Sequence, residues 1–148
     1  MTTKSRKCLE RDLAMKLLLD PHILYWFLNN DPALSKQARE MILNQENMKY
    51  FSVISVWETA IKHAKHPTQI TSTGVEFIEL CRGAGFLPLD VSDKYVAALE
   101  TLRRAEDAPP HKDPFDRMLI AQAKSEGMLF LTHDAKLPYY QEDCIVPV

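Results

Sequence analysis

Acidic side chains stand where the apolar segments of this sequence end. Asp20 follows "MKLLL", Asp134 follows "MLFLTH", and Glu58 comes shortly after "YFSVIS". Asp113 directly precedes "PFDRMLIAQAKSEG" and Asp116 is the third residue of that stretch, so the two acids take neighbouring positions on one helix face. Parallel sheets bind ligands beyond the carboxyl ends of their strands, so we expect these carboxylates at one ligand-binding edge.

Carboxylates that converge at one edge repel one another, and their pKa values rise unless a cation joins them. Hard oxygen ligands suit Mg²⁺ or Mn²⁺, which keep several waters and bind few carboxylates together with substrate phosphate. A metal ion in such a site activates a water for attack on a phosphodiester and stabilises the leaving oxygen. The pattern therefore favours metal-dependent phosphodiester hydrolysis.

Helix capping is the alternative explanation for each acid taken alone. Asp20 and Asp113 each precede a proline, which is the form of an N-cap followed by a first-turn proline. The stretch from Ser55 to Glu58 has the S-x-x-E form of a capping box, with Glu58 in the first turn of its helix. Capping does not require an acid at each of several strand ends, however, and the joint pattern favours a site.

Apolar strands alternate with helix-period segments along the chain. Strands are predicted over 15–19, 50–55, 86–90 and 128–132 and in the terminal "CIVPV", and helices over 21–30, 35–44, 56–65, 73–85, 92–105 and 114–127. Near-continuous apolar strands that alternate with helices are typical of a parallel sheet covered on both faces. The sequence therefore predicts an α/β fold, with Pro88 marking an edge strand.

Length and composition fit one globular domain. The chain has 148 residues, of which 46% are hydrophobic and 26% charged, and its net charge of -2 excludes a globally basic nucleic-acid binder. Residues 1–14 lack the apolar stretch of a secretory signal and are either a disordered extension or an upstream start, ahead of a single domain over 15–148. No apolar run reaches the roughly 20 residues that span a bilayer, and the cysteines form no paired motif. We expect a cytoplasmic protein with no membrane contact.

Four stretches resemble the PIN-domain nucleases of the VapC-type toxin group. They are "MKLLLDPHILYWFLNNDPALSKQAREMI", "YFSVISVWETAIKHA", "HKDPFDRMLIAQAKSEGMLFLTHD" and the terminal "IVPV". The patterns S-x-W-E-x-A-I-K and H-K-D-P-F-D-R-x-L-I-A-Q-A within them are far more specific than any single acid. The resemblance covers nearly the whole chain from Met15.

The resemblance implies a PIN-like three-layer fold whose five-stranded parallel sheet has the order 3-2-1-4-5. Carried over by position, it implies a Mg²⁺ or Mn²⁺ site and catalytic centre made of Asp20, Glu58, Asp116 and Asp134. Asp113 and Thr132 would support that site. Apart from the resemblance, the position of Arg117 beside Asp116 leaves two alternatives open, contact with phosphate or pairing with a neighbouring acid.

The same resemblance implies an activity and partners. It describes a metal-dependent endoribonuclease that acts as the toxin of a toxin–antitoxin pair. RNA is then the substrate, a cognate antitoxin protein is the partner, and the assembly is a homodimer.

Pro21 departs from the family pattern, which has Thr or Ser directly after the first aspartate. The proline removes a hydroxyl and a backbone N–H beside the expected metal. A second hypothesis therefore stays open, a PIN fold with impaired catalysis that binds RNA or a protein. A phosphatase of the same sheet type is disfavoured, because His22 stands where a D-x-D motif needs its second aspartate.

Basic and aromatic residues near these motifs have structural explanations. Lys62 and its basic neighbours are interpreted as favourable charges at a helix C-terminus, the alternative being a phosphate-steering patch with Lys112 and Arg117. Trp26 and Trp57 are predicted in the core or at a dimer interface rather than as base-stacking platforms.

Overall fold

A computed structural model describes residues 14–110 and 113–148. Its strands are β1 (Lys16–Leu19), β2 (Met48–Ser52), β3 (Leu87–Leu89), β4 (Leu129–Thr132) and β5 (Ile145–Pro147). Its helices are α1 (Pro21–Leu28), α2 (Lys36–Leu43), α3 (Val53–Lys65), α4 (Gly74–Gly83), α5 (Asp93–Leu99) and α6 (Pro114–Glu126), with a 3₁₀ turn at Leu137–Tyr139. The predicted extension over 1–14, apart from Ala14, and Lys112 lie outside the described residues. Within those residues no helix is long and apolar enough to cross a bilayer.

The five strands form one parallel sheet in the order β3-β2-β1-β4-β5, which confirms the predicted order. Pro88 lies on the edge strand β3, where a missing backbone N–H is tolerated. Since β1 and β4 are neighbours in the sheet, Asp20 after β1 and Thr132 at the end of β4 lie side by side. The strand order thus places the ends of two strands distant in sequence at one edge.

Two hydrophobic cores cover the sheet, one on each face. Leu17 and Leu19 of β1 pack in the first core with α1, α2 and α4, and Leu18 packs in the second with α5 and α6. All three leucines are completely buried. Successive side chains of a strand point to opposite faces, so an unbroken apolar strand fills both cores and the fold has three layers.

Helix α3 begins earlier than predicted. Ser52 is its N-cap: the hydroxyl oxygen accepts the N–H of Ile54 at 3.0 Å and donates to Oε1 of Gln122 at 2.6 Å. The predicted capping box from Ser55 to Glu58 is therefore wrong, and Glu58 lies in the second turn of α3 rather than the first. The strand predicted over 50–55 correspondingly ends at Ser52.

Helix α5 is shorter than the predicted segment 92–105. It ends at Leu99, and the hydroxyl of Thr101 donates to the carbonyl of Ala98 at 2.7 Å. The backbone N–H of Arg103 donates to the carboxylate of Glu142 at 3.0 Å, so a distant part of the chain takes the donor that a longer helix would use.

Candidate active site

A cavity of about 330 Å³ lies at the carboxyl end of the sheet. Every carboxylate that the sequence analysis placed at this edge lines it: Asp20, Glu58, Asp113, Asp116 and Asp134. They come from the ends of β1 and β4, from α3 and from the start of α6. The structure therefore brings the predicted acids together, and their roles in catalysis remain a prediction.

Asp20 is hydrogen-bonded through both carboxylate oxygens and is 4% exposed. Oδ1 accepts the backbone N–H of His22 at 2.9 Å and so caps α1, as predicted. Oδ2 accepts the hydroxyl proton of Thr132 at 3.1 Å. Asp20 is thus a helix cap and a cavity residue at once, and the two explanations do not exclude each other.

Thr132 connects two of the acids and is completely buried. Its hydroxyl donates to Asp20 and accepts the backbone N–H of Asp134 at 3.1 Å. The carboxylate of Asp134 in turn accepts the N–H of Lys136 at 2.9 Å. One hydroxyl therefore holds the end of β4 and the turn after it against the acid that follows β1.

Asp113 and Asp116 occupy the first turn of α6. Asp113 is the N-cap, as predicted, and accepts the N–H groups of Phe115 at 2.9 Å and Asp116 at 3.3 Å. Burial raises the pKa of Asp116 to about 8, and the charges of Asp113 and the other three cavity acids add to the rise. Burial and the neighbouring charges both disfavour the charged form of Asp116, as expected for a carboxyl group among converging acids.

Lys62 belongs to the same cavity and pairs with Glu58. Its Nζ lies 3.0 Å from Oε1 of Glu58, one helical turn away on α3. Burial lowers the pKa of Lys62, but the hydrogen bond and the charge of Glu58 outweigh that effect and raise it. The sequence analysis favoured a plain helix-end charge; the i,i+4 spacing from Glu58 was the signal for this contact.

Three ring-bearing residues also line the cavity, and the sequence analysis named none of them as a catalytic, supporting or metal-binding residue. They are His22, Trp26 and His133. His22 Nδ1 lies 3.7 Å from Oδ1 of Asp20, a contact that raises the pKa of His22. The available signal was their position: His22 and Trp26 are four residues apart on α1, and His133 lies between Thr132 and Asp134.

Arg117 is not among the residues that line the carboxylate cavity. It lines a separate apolar cavity with Trp57 and Phe115, whose rings are 5.1 Å apart. Burial raises the pKa of Tyr140, and the guanidinium of Arg117 opposes that rise. The side chain of Trp57 is 57% exposed and so is not a core residue. Among the described residues the structure does not bring Arg117 to the carboxylate cavity, and its supporting role stays a prediction.

The donor set suits a hydrated hard cation. In the described part of the chain, no three His, Cys, Asp or Glu side chains form a ready-made metal cage. Mg²⁺ needs none, since it keeps several waters and is bound through one or two carboxylates plus substrate phosphate. Asp20 and Glu58 are buried carboxylates, and the pKa of Asp116 is raised. A cation bound among these oxygens would stabilise the charged form of each acid.

Sequence comparison identifies a family for most of the chain. A profile of the PIN domain family matches residues 17–142. Comparison with curated proteins found no significant match.

Two solved structures share the fold. VapBC2 from Rickettsia felis, crystallised with a DNA fragment from its promoter, has a TM-score of 0.65 at 16% identity, over 90% of this chain and 98% of that chain. DNA-bound VapBC from Salmonella typhimurium has a TM-score of 0.62 at 20% identity, over the same 90% and 98%. Likeness at these identities shows the three-layer α/β fold.

The hydroxyl of Thr132 offers a direct test of how the acids are held. Replacing Thr132 by Val keeps the shape and β-propensity of the side chain but leaves the N–H of Asp134 without this acceptor. We expect Thr132→Val to lower the free energy of unfolding by about 1–3 kcal/mol, measured by urea denaturation.

Thr132→Ser is the matched control, because it keeps the hydroxyl and removes a methyl group. It should lose less stability than Thr132→Val. A larger loss in the Ser variant would show that packing, not the hydroxyl, holds this edge together.

Proposed function

The chain belongs to the PIN domain family, and from that premise we propose that it is a metal-dependent endoribonuclease. PIN domains are generally nucleases, which supports hydrolysis of a phosphodiester. The observation that carries the proposal is the convergence of Asp20, Glu58, Asp113, Asp116 and Asp134 on one cavity at the carboxyl end of the sheet.

The cavity acids have distinct roles in this proposal. Mg²⁺ or Mn²⁺ would be held by Asp20, Glu58, Asp116 and Asp134, all of which line the cavity. A bound divalent ion would supply an activated water and stabilise the leaving oxygen. Asp113 fixes the first turn of α6, and Thr132 fixes Asp20 against Asp134.

Lys62 gives the cavity a positive charge beside its acids. It holds the carboxylate of Glu58 at 3.0 Å and can attract the RNA phosphate. In the reaction the oxygen of water bonds to phosphorus, one P–O ester bond breaks, and the leaving oxygen takes up a proton. The chain's own task is to position the phosphate and the acids before that step.

We assign the nuclease to the toxin half of a toxin–antitoxin pair. The support is the fold shared with chains of two VapBC complexes, together with the motif resemblance over nearly the whole sequence. A cognate antitoxin protein is then the partner, the toxin forms a homodimer, and both act in the cytoplasm.

A catalytically impaired PIN fold is the second candidate, and Pro21 is the observation that favours it. Pro21 is buried at the first position of α1 and lines the cavity without a hydroxyl or an N–H. Such a protein would bind RNA or a protein partner without cleaving.

RNA cleavage distinguishes these candidates. The purified protein should cleave single-stranded RNA with Mg²⁺ or Mn²⁺ and stop on addition of EDTA. Asp20→Asn should lower the rate at least about 100-fold, because changes in groups around metal ligands already cost 10–100-fold. Asn caps helices as well as Asp does, so the substitution removes charge and leaves the start of α1 intact.

Asp90→Asn is the control, since Asp90 follows β3 and is exposed outside the cavity. It should cleave like the wild type. Equal residual cleavage by the wild type and Asp20→Asn would contradict the nuclease assignment. The catalytically impaired PIN fold that binds RNA or a protein would then be the remaining candidate.

Growth on induced expression tests the toxin role. We expect wild-type expression to arrest bacterial growth and Glu58→Gln to relieve the arrest, because the amide removes one of the cavity charges that would hold the ion. Glu79→Gln, an exposed position on α4, is the matched control and should arrest growth like the wild type. Arrest by both variants alike would contradict a toxic nuclease activity.

A further inference from the structure

Three rings stand together beside the carboxylates. Trp26 lies between two imidazoles, with ring centroids 5.9 Å from His22 and 5.3 Å from His133. All three line the same cavity as the acids. We call His22, Trp26 and His133 the ring platform.

The platform is held in place and open to solvent. His133 Nδ1 lies 2.7 Å from the carbonyl of Val148, and His22 contacts Asp20, so both imidazoles have fixed neighbours. His133 is exposed, and the side chain of His22 is 63% exposed. Trp26 is half-buried, because part of its ring packs against the first core. Core packing therefore accounts for only part of the indole surface.

The dimensions of the cavity restrict what the platform can bind. At about 330 Å³ it is at the small end of ligand sites, roughly 300–1,000 Å³. A base inside a duplex is stacked and paired and does not reach such a pocket unless it is extruded. An unpaired base has a free face, and every base stacks on aromatic side chains whatever its sequence.

The geometry points to a nucleobase-binding subsite: the ring platform stacks an unpaired base of the RNA next to the phosphate that Lys62 attracts. This inference rests on the proposed nuclease function, and it assigns Trp26 a role in substrate binding that the sequence did not predict. Trp26 is then a residue that positions the substrate by stacking. The planes of His22 and His133 make angles of 52° and 73° with the indole plane, so the imidazoles flank the base that Trp26 stacks.

Fluorescence tests the platform without any cleavage. The chain has two tryptophans, Trp26 and Trp57, so Trp57→Phe leaves Trp26 as the sole indole. With EDTA present and at low salt, a single-stranded RNA hexamer should quench this protein saturably, and the same hexamer in a duplex should quench it much less. Trp26→Phe, in which Trp57 remains, is the matched control and should show no saturable quenching.

Kinetics supply a second readout. His133→Ala, a change at an exposed position, should raise KM for single-stranded RNA at least about fivefold with a smaller change in kcat, as expected for loss of a ring that contacts the bound base. Asp90→Asn, at an exposed position outside the cavity, is the control and should retain the KM of the wild type. A lower kcat with unchanged KM in His133→Ala would contradict a binding role.

The outcomes separate this inference from the proposed function. If RNA quenches Trp26 but neither the wild type nor any variant cleaves RNA, the platform is supported as an RNA-binding surface and the nuclease assignment is overturned. Cleavage without quenching of Trp26 would overturn the platform and keep the nuclease. Quenching by a tri-arginine peptide but not by RNA would assign the platform to a protein partner and overturn the inference.

Discussion

Repulsion among converging carboxylates is the constraint on which the rest of this site depends. The pairing of β1 with β4 brings Asp20 and Thr132 together, and α3 and α6 add further acids to the same edge. The chain neutralises part of this charge through the hydroxyl of Thr132, the first backbone N–H groups of α1 and α6, and Lys62. Asp116 keeps a pKa raised to about 8. A divalent cation is the ligand that would relieve what remains.

Short-range sequence patterns were sufficient to predict most helices and strands and the two helix caps that hold Asp20 and Asp113. Proline after Asp20 and Asp113 predicted two helix caps that the structure contains. Apolar strands such as "LLL" predicted burial on both faces, and Pro88 predicted the edge. These features depend on residues that are close together in the chain, so they can be predicted from one sequence. The strand order came from the motif resemblance, since many orders satisfy the same local patterns.

Features that depend on distant contacts were missed. The sequence analysis predicted Ser55 as the cap of α3, but Ser52 is the cap, and its hydroxyl donates a hydrogen bond to Gln122, seventy positions along the chain. The hydroxyl of Ser55 is buried without a hydrogen-bond partner among the described residues, which shows how little the local S-x-x-E pattern decides. The contact between Trp26 and His133 was missed for the same reason, because it depends on the pairing of β1 with β4, which brings His133 beside α1.

Binding of Mn²⁺ followed by titration calorimetry tests the central claim, that the converged carboxylates form one divalent-cation site, most directly. The wild type should bind Mn²⁺ saturably, Asp116→Asn should bind it at least about tenfold more weakly, and Asp90→Asn should match the wild type. Absence of saturable binding to the wild type, or equal affinity in Asp116→Asn, would contradict the claim.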